Sequence, residues 1–266
     1  MVSHYQANPL PVSATFVSIP VDSPSGIVYH TQRETLIAVS DHGHLVEMDD
    51  RFNLLQRLAI PGDLEGLSVH PGTGTLFVAS ESSNTVFEYD LDRHRTIRTL
   101  YIDFESHPDF AGGLKWNNGL EGVTVVTTVS GEYRLFVAVE AHPARVLQLT
   151  ADISATATAK AREFCIADST ATAGLRQTVK ISDAYDVGLT RISDIAFDSD
   201  SGLLLIVSAG ERVLMLAEPN GHTLRSYRLP GKKPEGICRL PSGDAIVVDD
   251  TGGAWGLEHA STFIKR

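Results

Sequence analysis

The chain has 266 residues, of which 42% are hydrophobic and 21% are charged, a composition typical of a single globular domain. Its 33 acidic and 22 basic side chains give a formal net charge of -11, which disfavours nucleic acid and anionic lipid as partners. No apolar run approaches the ~20 residues needed for a membrane span. The first residues lack an export-signal pattern, so we leave the compartment open: periplasmic or extracellular if a signal has been removed, otherwise cytoplasmic.

Five segments with one common pattern follow each other along the chain. In each segment a short apolar strand leads through a turn rich in Gly, Pro, Asp or Ser to a β-branched strand, and an alternating strand follows. The five segments begin at Pro24, Leu64, Leu120, Ile192 and Pro234. A fourth stretch of strand type follows four of them, beginning at Leu54, Thr96, Ala161 and Thr223.

The fifth segment has no fourth strand after it, but the stretch ATFVSIP from Ala14 has the right length and pattern. Pairing this N-terminal stretch into the last segment would remove the exposed edge of an open array. The sequence therefore predicts an all-β fold: one β-propeller of four-stranded antiparallel blades over residues 1–266. We favour five blades, at about 24–61, 64–103, 120–167, 192–230, and 234–258 with 14–20, and a sixth only if an insertion hides it.

Two insertions, at 104–119 and 168–191, interrupt the repeat where a fourth strand joins the next first strand. Long loops in a compact repeat fold often carry function, so both are candidates for specificity. Trp116, Asn117 and Asn118 in the first insertion are candidates to line a ligand pocket.

Acidic residues recur at two positions of the repeat, the start of the first strand and the end of the second. In an up-and-down blade these two positions lie on the same face. The first column holds Ser25, Glu65, Glu121, Ser193 with Asp194, and Glu235; the second holds Asp41, Glu81, Glu140, Ala209 and Asp250. We therefore expect seven carboxylates, with Asp194 beside them, to converge on one mouth.

Crowded carboxylates repel each other unless their pKa values rise, donors lie nearby or a cation binds. Hard oxygen ligands without a cysteine cluster favour a divalent cation such as calcium or magnesium, and calcium tolerates ligands from separate blades best. The candidate metal ligands are Glu65, Glu121, Glu235 and Asp194. The candidate ligand-binding residues are Asp41, Glu81, Glu140, Asp250, His42 and His142.

Two alternatives to a calcium site stay open at this point. His42, His44, His107 and His142 near the same face would suit a transition metal. In the other alternative, each repeated Glu-Gly pair only anchors a strand start, with the carboxylate accepting main-chain N–H groups. The two cysteines, Cys165 and Cys238, fall in different segments and are expected to be unpaired buried thiols.

The strand starts LEGL at 64, LEGV at 120 and PEGI at 234, with the LFVAS, LFVAVE and VSD strand ends, resemble the SdiA-regulated family of β-propellers. The resemblance extends from Pro24 to Glu258. Such propellers are similar in outline to phytase-like and gluconolactonase-like propellers, whose central Glu, Asn and Asp residues hold a divalent metal. The resemblance thus implies Glu65, Glu121 and Glu235 as central residues, but it implies no particular activity. Ser193-Asp194 and Ala209 depart from the pattern and break the ring of acids in the fourth segment.

Three functions are compatible with the sequence. The first is a divalent-cation-binding propeller, with calcium favoured, whose acidic face recognises a small molecule or a protein partner. The second is a metal-dependent hydrolase of a lactone or phosphoester, with Glu121 or Asp194 as base. The third is a non-catalytic scaffold that uses its insertions as contacts. The chain has no G-x-S-x-G, H-E-x-x-H, Walker or dinucleotide-binding motif.

Overall fold

A computed structural model describes residues 7–114, 118–167 and 174–265. These residues form β-strands arranged in four-stranded antiparallel sets, one α-helix and two short 3₁₀ helices at Pro108–Phe110 and Ala260–Thr262. The all-β prediction is confirmed, and the arrangement is that of a β-propeller.

We number the four-stranded sets as units 1 to 5, after the N-terminal strand β1 (Ala14–Val17). Unit 1 contains β2 (Pro24–His30), β3 (Thr35–Ser40), β4 (His44–Met48) and β5 (Leu54–Ala59). Unit 2 contains β6 (Leu64–Val69), β7 (Leu76–Ser80), β8 (Thr85–Asp90) and β9 (Arg95–Asp103). Unit 3 contains β10 (Leu120–Thr127), β11 (Tyr133–Val139), β12 (Arg145–Leu149) and β13 (Leu175–Tyr185).

Unit 4 contains β14 (Asp194–Asp198), β15 (Leu203–Ser208), β16 (Val213–Ala217) and β17 (Thr223–Arg228). Unit 5 contains β18 (Pro234–Arg239), β19 (Ala245–Asp249) and β20 (Gly253–Leu257), and its fourth strand is β1. The N-terminal strand pairs antiparallel with β20, from Ala14 opposite Leu257 to Val17 opposite Ala254. The predicted pairing of the N-terminal stretch with the last segment is thus present.

Burial explains why the second strands of the units are mostly apolar. Every residue of β3, β7, β15 and β19 is buried, because both faces of these strands are covered by neighbouring units. The outer strand β5, in contrast, has alternating exposed and half-buried residues. Five hydrophobic clusters fill the spaces between units 1 and 2, 2 and 3, 3 and 4, 4 and 5, and 5 and 1.

One predicted strand is wrong. The stretch AREFCIAD from Ala161 lies in helix α1 (Ala155–Ala167), apart from its last residue, which is outside the described range. The helix sequence ATATAKAREFCIA is rich in alanine, the strongest helix former, and it buries Ala161 and Cys165 against Ile97 of β9. The true fourth strand of unit 3 is β13, which lies inside the second insertion.

Strand β13 also joins two units into one eight-stranded sheet, which the sequence did not predict. Residues 175–180 pair parallel with β9 of unit 2, and residues 181–185 pair antiparallel with β12 of unit 3. The end of the second insertion therefore bridges the outer edges of units 2 and 3.

The first strands of the units meet backbone to backbone. In space, β2 contacts β6, β6 contacts β10, β10 contacts β14, β14 contacts β18, and β18 contacts β2. A Cβ atom added at Gly66 would lie 2.5 Å from the Cα of Gly122, too close for any side chain. Gly26 and Gly236 make similar close approaches, whereas unit 4 carries Asp194 at this position. The repeated glycine of the Glu-Gly pair thus permits the inner strands to converge.

Among the described residues, no helix has the length and apolar character that a bilayer crossing requires. Cys165 and Cys238 are both buried, as predicted.

Candidate functional site

A β-bulge at the start of each of four first strands directs a side chain toward one end of the molecule. The register shifts between Leu120 and Gly122, so that Glu121 is the extra residue opposite β11. Equivalent shifts in units 1, 2 and 5 involve Ser25, Glu65 and Glu235, whereas the register of unit 4 continues evenly from Asp194. A bulge re-aims the side chain of the extra residue, which explains how the acids leave the regular alternation of the sheet.

These acids line a single cavity of about 500 Å³, which we call the mouth. The carboxylates that line it belong to Asp41, Asp63, Glu65, Glu81, Glu121, Glu140 and Glu235. The remaining lining residues are Ser25, Arg191, Ser193, Ala209, Gly210 and Lys233. Six of the seven carboxylates of the two acidic columns therefore line one cavity, and Asp250 does not.

The carboxylates of the mouth form two compact groups. Asp41, Asp63 and Glu65 each place one oxygen within 4.8 Å of the others, and so do Glu81, Glu121 and Glu140. We call these the first and the second trio. Each trio combines residues from a first strand and from the end of a second strand or an adjoining loop, so neither is contiguous in sequence.

Glu121 is the most isolated acid of the mouth. Its residue is only 9% exposed, and no described residue donates a hydrogen bond to its carboxylate. Burial raises its pKa well above the usual value, and repulsion from Glu65, Glu81 and Glu235 raises the pKa further. A buried carboxylate without a donor is costly in its ionised form, so Glu121 demands either a proton or a cation.

Glu65 is in a comparable environment. Burial raises the pKa of Glu65 to about 9, and the charges of Asp41, Asp63 and Glu81 contribute to the rise. Burial also raises the pKa of Asp63, whose carboxyl group makes a hydrogen-bond contact with that of Glu65. Without a bound cation, the two carboxyl groups in contact favour a shared proton.

Other acids of the mouth have donors from the protein itself. Lys233 Nζ lies 2.9 Å from Glu235 Oε1 and 2.7 Å from Asp250 Oδ2. Arg191 forms an ion pair with Glu140. Burial raises the pKa of Glu235, although contact with Lys233 opposes the rise.

Main-chain anchoring does not explain the Glu side chains of the first strands. The Gly119 N–H donates to Glu81 Oε1 at 3.0 Å, but Glu81 follows a second strand. Among the described residues, no main-chain N–H donates to the carboxylates of Glu65, Glu121 or Glu235. The alternative that the repeated Glu-Gly pairs only cap strand starts therefore lacks its expected hydrogen bonds.

Asp194 lies apart from the cavity lining. It is 2% exposed, and its Oδ2 accepts a hydrogen bond of 3.1 Å from the Ile237 N–H. Its Oδ1 has no hydrogen-bond partner in the described part of the chain. Burial raises the pKa of Asp194 to about 8, so a proton is favoured there near neutral pH. Asp194 occupies the glycine position among the converging strands rather than the mouth.

Three further candidates from the sequence also lie outside the lining. Asp250 contacts the mouth only through Lys233, and His42 and His142 are exposed. The first insertion supplied three candidates to line a ligand pocket. Trp116 and Asn117 lie outside the described residues, and Asn118 does not line the mouth.

Sequence reasoning missed three charged residues of the mouth: Asp63, Arg191 and Lys233. Each lies two positions before the first-strand residue that faces the cavity, namely Glu65, Ser193 or Glu235. Because side chains two apart point to the same side of an extended chain, this spacing was the signal that could have found them.

A family model described as "SdiA-regulated" matches residues 12–255. No curated protein matches the chain. Among solved structures, the chain is similar to one titled "Streptogramin B lyase structure", with 14% sequence identity and a TM-score of 0.48. This similarity covers 89% of the present chain and 66% of the other, so the chain spans slightly less than two thirds of the length of that protein.

Proposed function

This chain belongs to the SdiA-regulated family, and we propose that it is a cation-binding propeller whose acidic mouth holds a divalent ion, with calcium favoured. In this proposal the five units are the blades of a closed ring that forms one domain. The cyclic contacts of the first strands and the hydrophobic cluster between units 5 and 1 support closure.

The observation that carries the proposal is the excess of negative charge in the mouth. Seven carboxylates line it, against the two cationic side chains of Arg191 and Lys233. Both cations form ion pairs with other acids, Arg191 with Glu140 and Lys233 with Glu235. Among the described residues, neither Glu65 nor Glu121 has an ion-pair partner of its own. A divalent ion would offset the negative charges of Glu65 and Glu121 and allow both groups to ionise.

The donor set favours calcium over other ions. The mouth supplies carboxylate oxygens from separate strands and loops, and no cysteine or histidine lines it among the described residues. Zinc and copper prefer nitrogen and sulphur ligands, whereas calcium accepts six to eight oxygens in a flexible geometry. Magnesium demands a tighter octahedron, for which the spread of the two trios is less suited.

We infer that Glu65 and Glu121 are the principal ligands, with the other members of the two trios completing the coordination. Glu235 takes a lesser part, because Lys233 already offsets its charge. Asp194 acts as a buried acid among the inner strands rather than as a ligand. The cavity is larger than one ion requires, so the mouth also has room for a small molecule or a protruding group of a protein partner.

Calorimetric titration of metal-free protein with calcium, and separately with magnesium, tests the proposal. We expect one or more calcium sites that are lost in Glu121→Gln and kept in the control Glu132→Gln. Glu132 is exposed in the turn between β10 and β11, at the opposite end of the strands from the mouth. Absence of heat and of thermal stabilisation with both ions would refute the cation site.

A further inference from the structure

The acidic wall of the mouth is interrupted at unit 4. Unit 4 has no acid at either repeat position, since Ser193 occupies the first and Ala209 the second, and Gly210 follows. Unit 1 has Ser25 at the first position but keeps an acid, Asp41, at the second. A Cβ atom added at Gly210 would meet only the Cδ of Arg191, at 3.7 Å, among the described atoms. This part of the mouth, which we call the gap, is therefore uncharged and open apart from the arginine beside it.

The two cationic side chains of the mouth lie on either side of the gap. Arg191 precedes Ser193, and its side chain is 51% exposed although it contacts Glu140. Lys233 precedes Glu235 in the next unit, and its side chain is 55% exposed. A guanidinium carries five N–H donors and an ammonium three. Arg191 contacts one acid, Glu140, and Lys233 contacts two, Glu235 and Asp250, so Arg191 retains several donors and Lys233 retains one.

We propose that the gap binds the carboxylate or phosphate group of a small hydrophilic molecule once a divalent cation occupies the acidic wall. This inference rests on the proposed cation site and specifies the class of ligand that the same mouth takes. In the ion-free mouth the surplus of carboxylates repels an anion. A bound dication reduces this surplus and offers the anion a concentrated positive charge.

Glu140 couples the two binding events. It belongs to the second trio and also forms an ion pair with the Arg191 guanidinium. A cation bound by Glu81, Glu121 and Glu140 competes for the Glu140 carboxylate and releases Arg191 toward the gap. A guanidinium binds carboxylate or phosphate through two parallel N–H groups, which gives the anion a directional partner as well as a charge.

The lining also specifies the character of the ligand. A cavity of about 500 Å³ can hold a small molecule in addition to an ion. Its described lining contains no aromatic ring and no large aliphatic side chain, so the body of the ligand must be polar. A hydroxylated acid or a sugar phosphate has this combination of a negative group and a polar body.

Calorimetry of the whole chain with three matched sugars tests the inference. The probes are glucuronate, glucose 6-phosphate and neutral glucose, each titrated in calcium and in EDTA. We expect at least one anionic sugar to bind in calcium only, and glucose to bind about tenfold more weakly or not at all. By thermodynamic linkage, the bound anion must raise the affinity for calcium by the same factor by which calcium raises the affinity for the anion.

Two variants separate this proposal from a general structural effect. Arg191→Gln removes the side chain that donates to the anion and that competes with calcium for Glu140. Its affinity for the anion should therefore fall, while its affinity for calcium should equal or exceed that of the wild type. Arg191→Lys should retain part of the anion affinity. Ala209→Asp restores the acid of the other units, so it abolishes anion binding and leaves calcium bound. Arg51→Gln, in the exposed turn between β4 and β5, is the matched control.

The outcomes distinguish the two proposals. If calcium binds but neither sugar acid does at millimolar concentration, or if glucose binds equally well, the anion site is wrong and the cation site stands. The same holds if Arg191→Gln and Ala209→Asp bind the anion like the wild type. If calcium itself fails to bind, the cation site is wrong and the anion site falls with it.

Discussion

Replacing Arg98 by methionine should destabilise the protein strongly, because Arg98 holds helix α1 against unit 2 through a buried ion pair. Its Nε and Nη2 lie 3.0 and 2.7 Å from Glu88 Oε2, and its Nη1 donates to the Asp152 carbonyl at 2.6 Å. The side chains of Arg98 and Glu88 are 2% and 0% exposed. Thr75 and Thr158 donate to the other oxygen of Glu88 at 2.8 and 2.7 Å.

The expected cost follows from the carboxylate that the substitution leaves behind. Breaking a buried ion pair on one side costs about 3–5 kcal/mol, because an uncompensated charge remains in the interior. At about 2–4 °C per kcal/mol for a chain of this size, the melting temperature should fall by roughly 6–20 °C. Urea unfolding followed by circular dichroism gives the free energy, and hydrogen exchange should show the largest loss of protection in α1 and β13.

A double variant supplies the control for this prediction. Arg98→Met combined with Glu88→Leu removes both charges, so it should cost clearly less than the sum of the single variants. If Arg98→Met alone cost no more than the ~1 kcal/mol of a surface ion pair, the argument for a buried clamp between α1 and unit 2 would be refuted.

Three further predictions concern the inner strands and the buried titratable groups. Gly66→Ala should destabilise by about 1–3 kcal/mol in urea unfolding, since its Cβ would collide with the Gly122 backbone, whereas Gly112→Ala, which has open space around it, should be near neutral. Since the folded pKa of Glu65 is about 9 against 4.5 for the free side chain, the folded state holds a proton that the unfolded chain releases. Its contribution to stability is therefore full below pH 4.5 and is lost as the pH rises toward 9; unfolding in EDTA should show this decline and calcium should reverse it, and a flat profile would contradict it. Burial raises the pKa of Cys238 to about 12, so a thiol reagent should label this residue only after unfolding, and rapid labelling of the native protein would be inconsistent with the packing.

The strand pattern of the chain was predictable because it repeats. Each second strand, such as LFVAS in β7, is a β-branched or apolar run between turn signals, and burial on both faces explains that composition. The pairing of β1 with β20 was predictable as well, since the last segment lacked a strand that the N-terminus could supply. Repetition gave several independent examples of one local pattern.

The second insertion was not predictable in this way, because it occurs once. Its strand β13 pairs with two different units, and one of these pairings is parallel and distant in sequence. The repeat predicts a fourth strand where helix α1 lies, because three strands precede it, whereas the alanine content of this stretch favours a helix. In this stretch the helix propensity of the sequence, and not the repeat pattern, determined the structure.

The mouth was predictable in its location and only partly in its members. Strand direction alone brings Glu65, Glu121 and Glu235 to one end of the molecule. The sequence did not indicate the bulges that aim these side chains, nor that Lys233 offsets Glu235. The sequence places Asp194 beside Ser193 at the mouth, whereas in space Asp194 takes the position that a glycine occupies in the other units.

The stability of Glu121→Gln with and without calcium tests the central claim most directly. A neutral amide relieves the repulsion that Glu121 experiences in the mouth, so the variant should be more stable than the wild type in EDTA. With calcium at about 100 times its Kd, the wild type should gain about 2.7 kcal/mol, or roughly 5–10 °C in melting temperature, and the variant should gain little. A variant that is less stable in EDTA and equally stabilised by calcium would contradict a cation site built on Glu121.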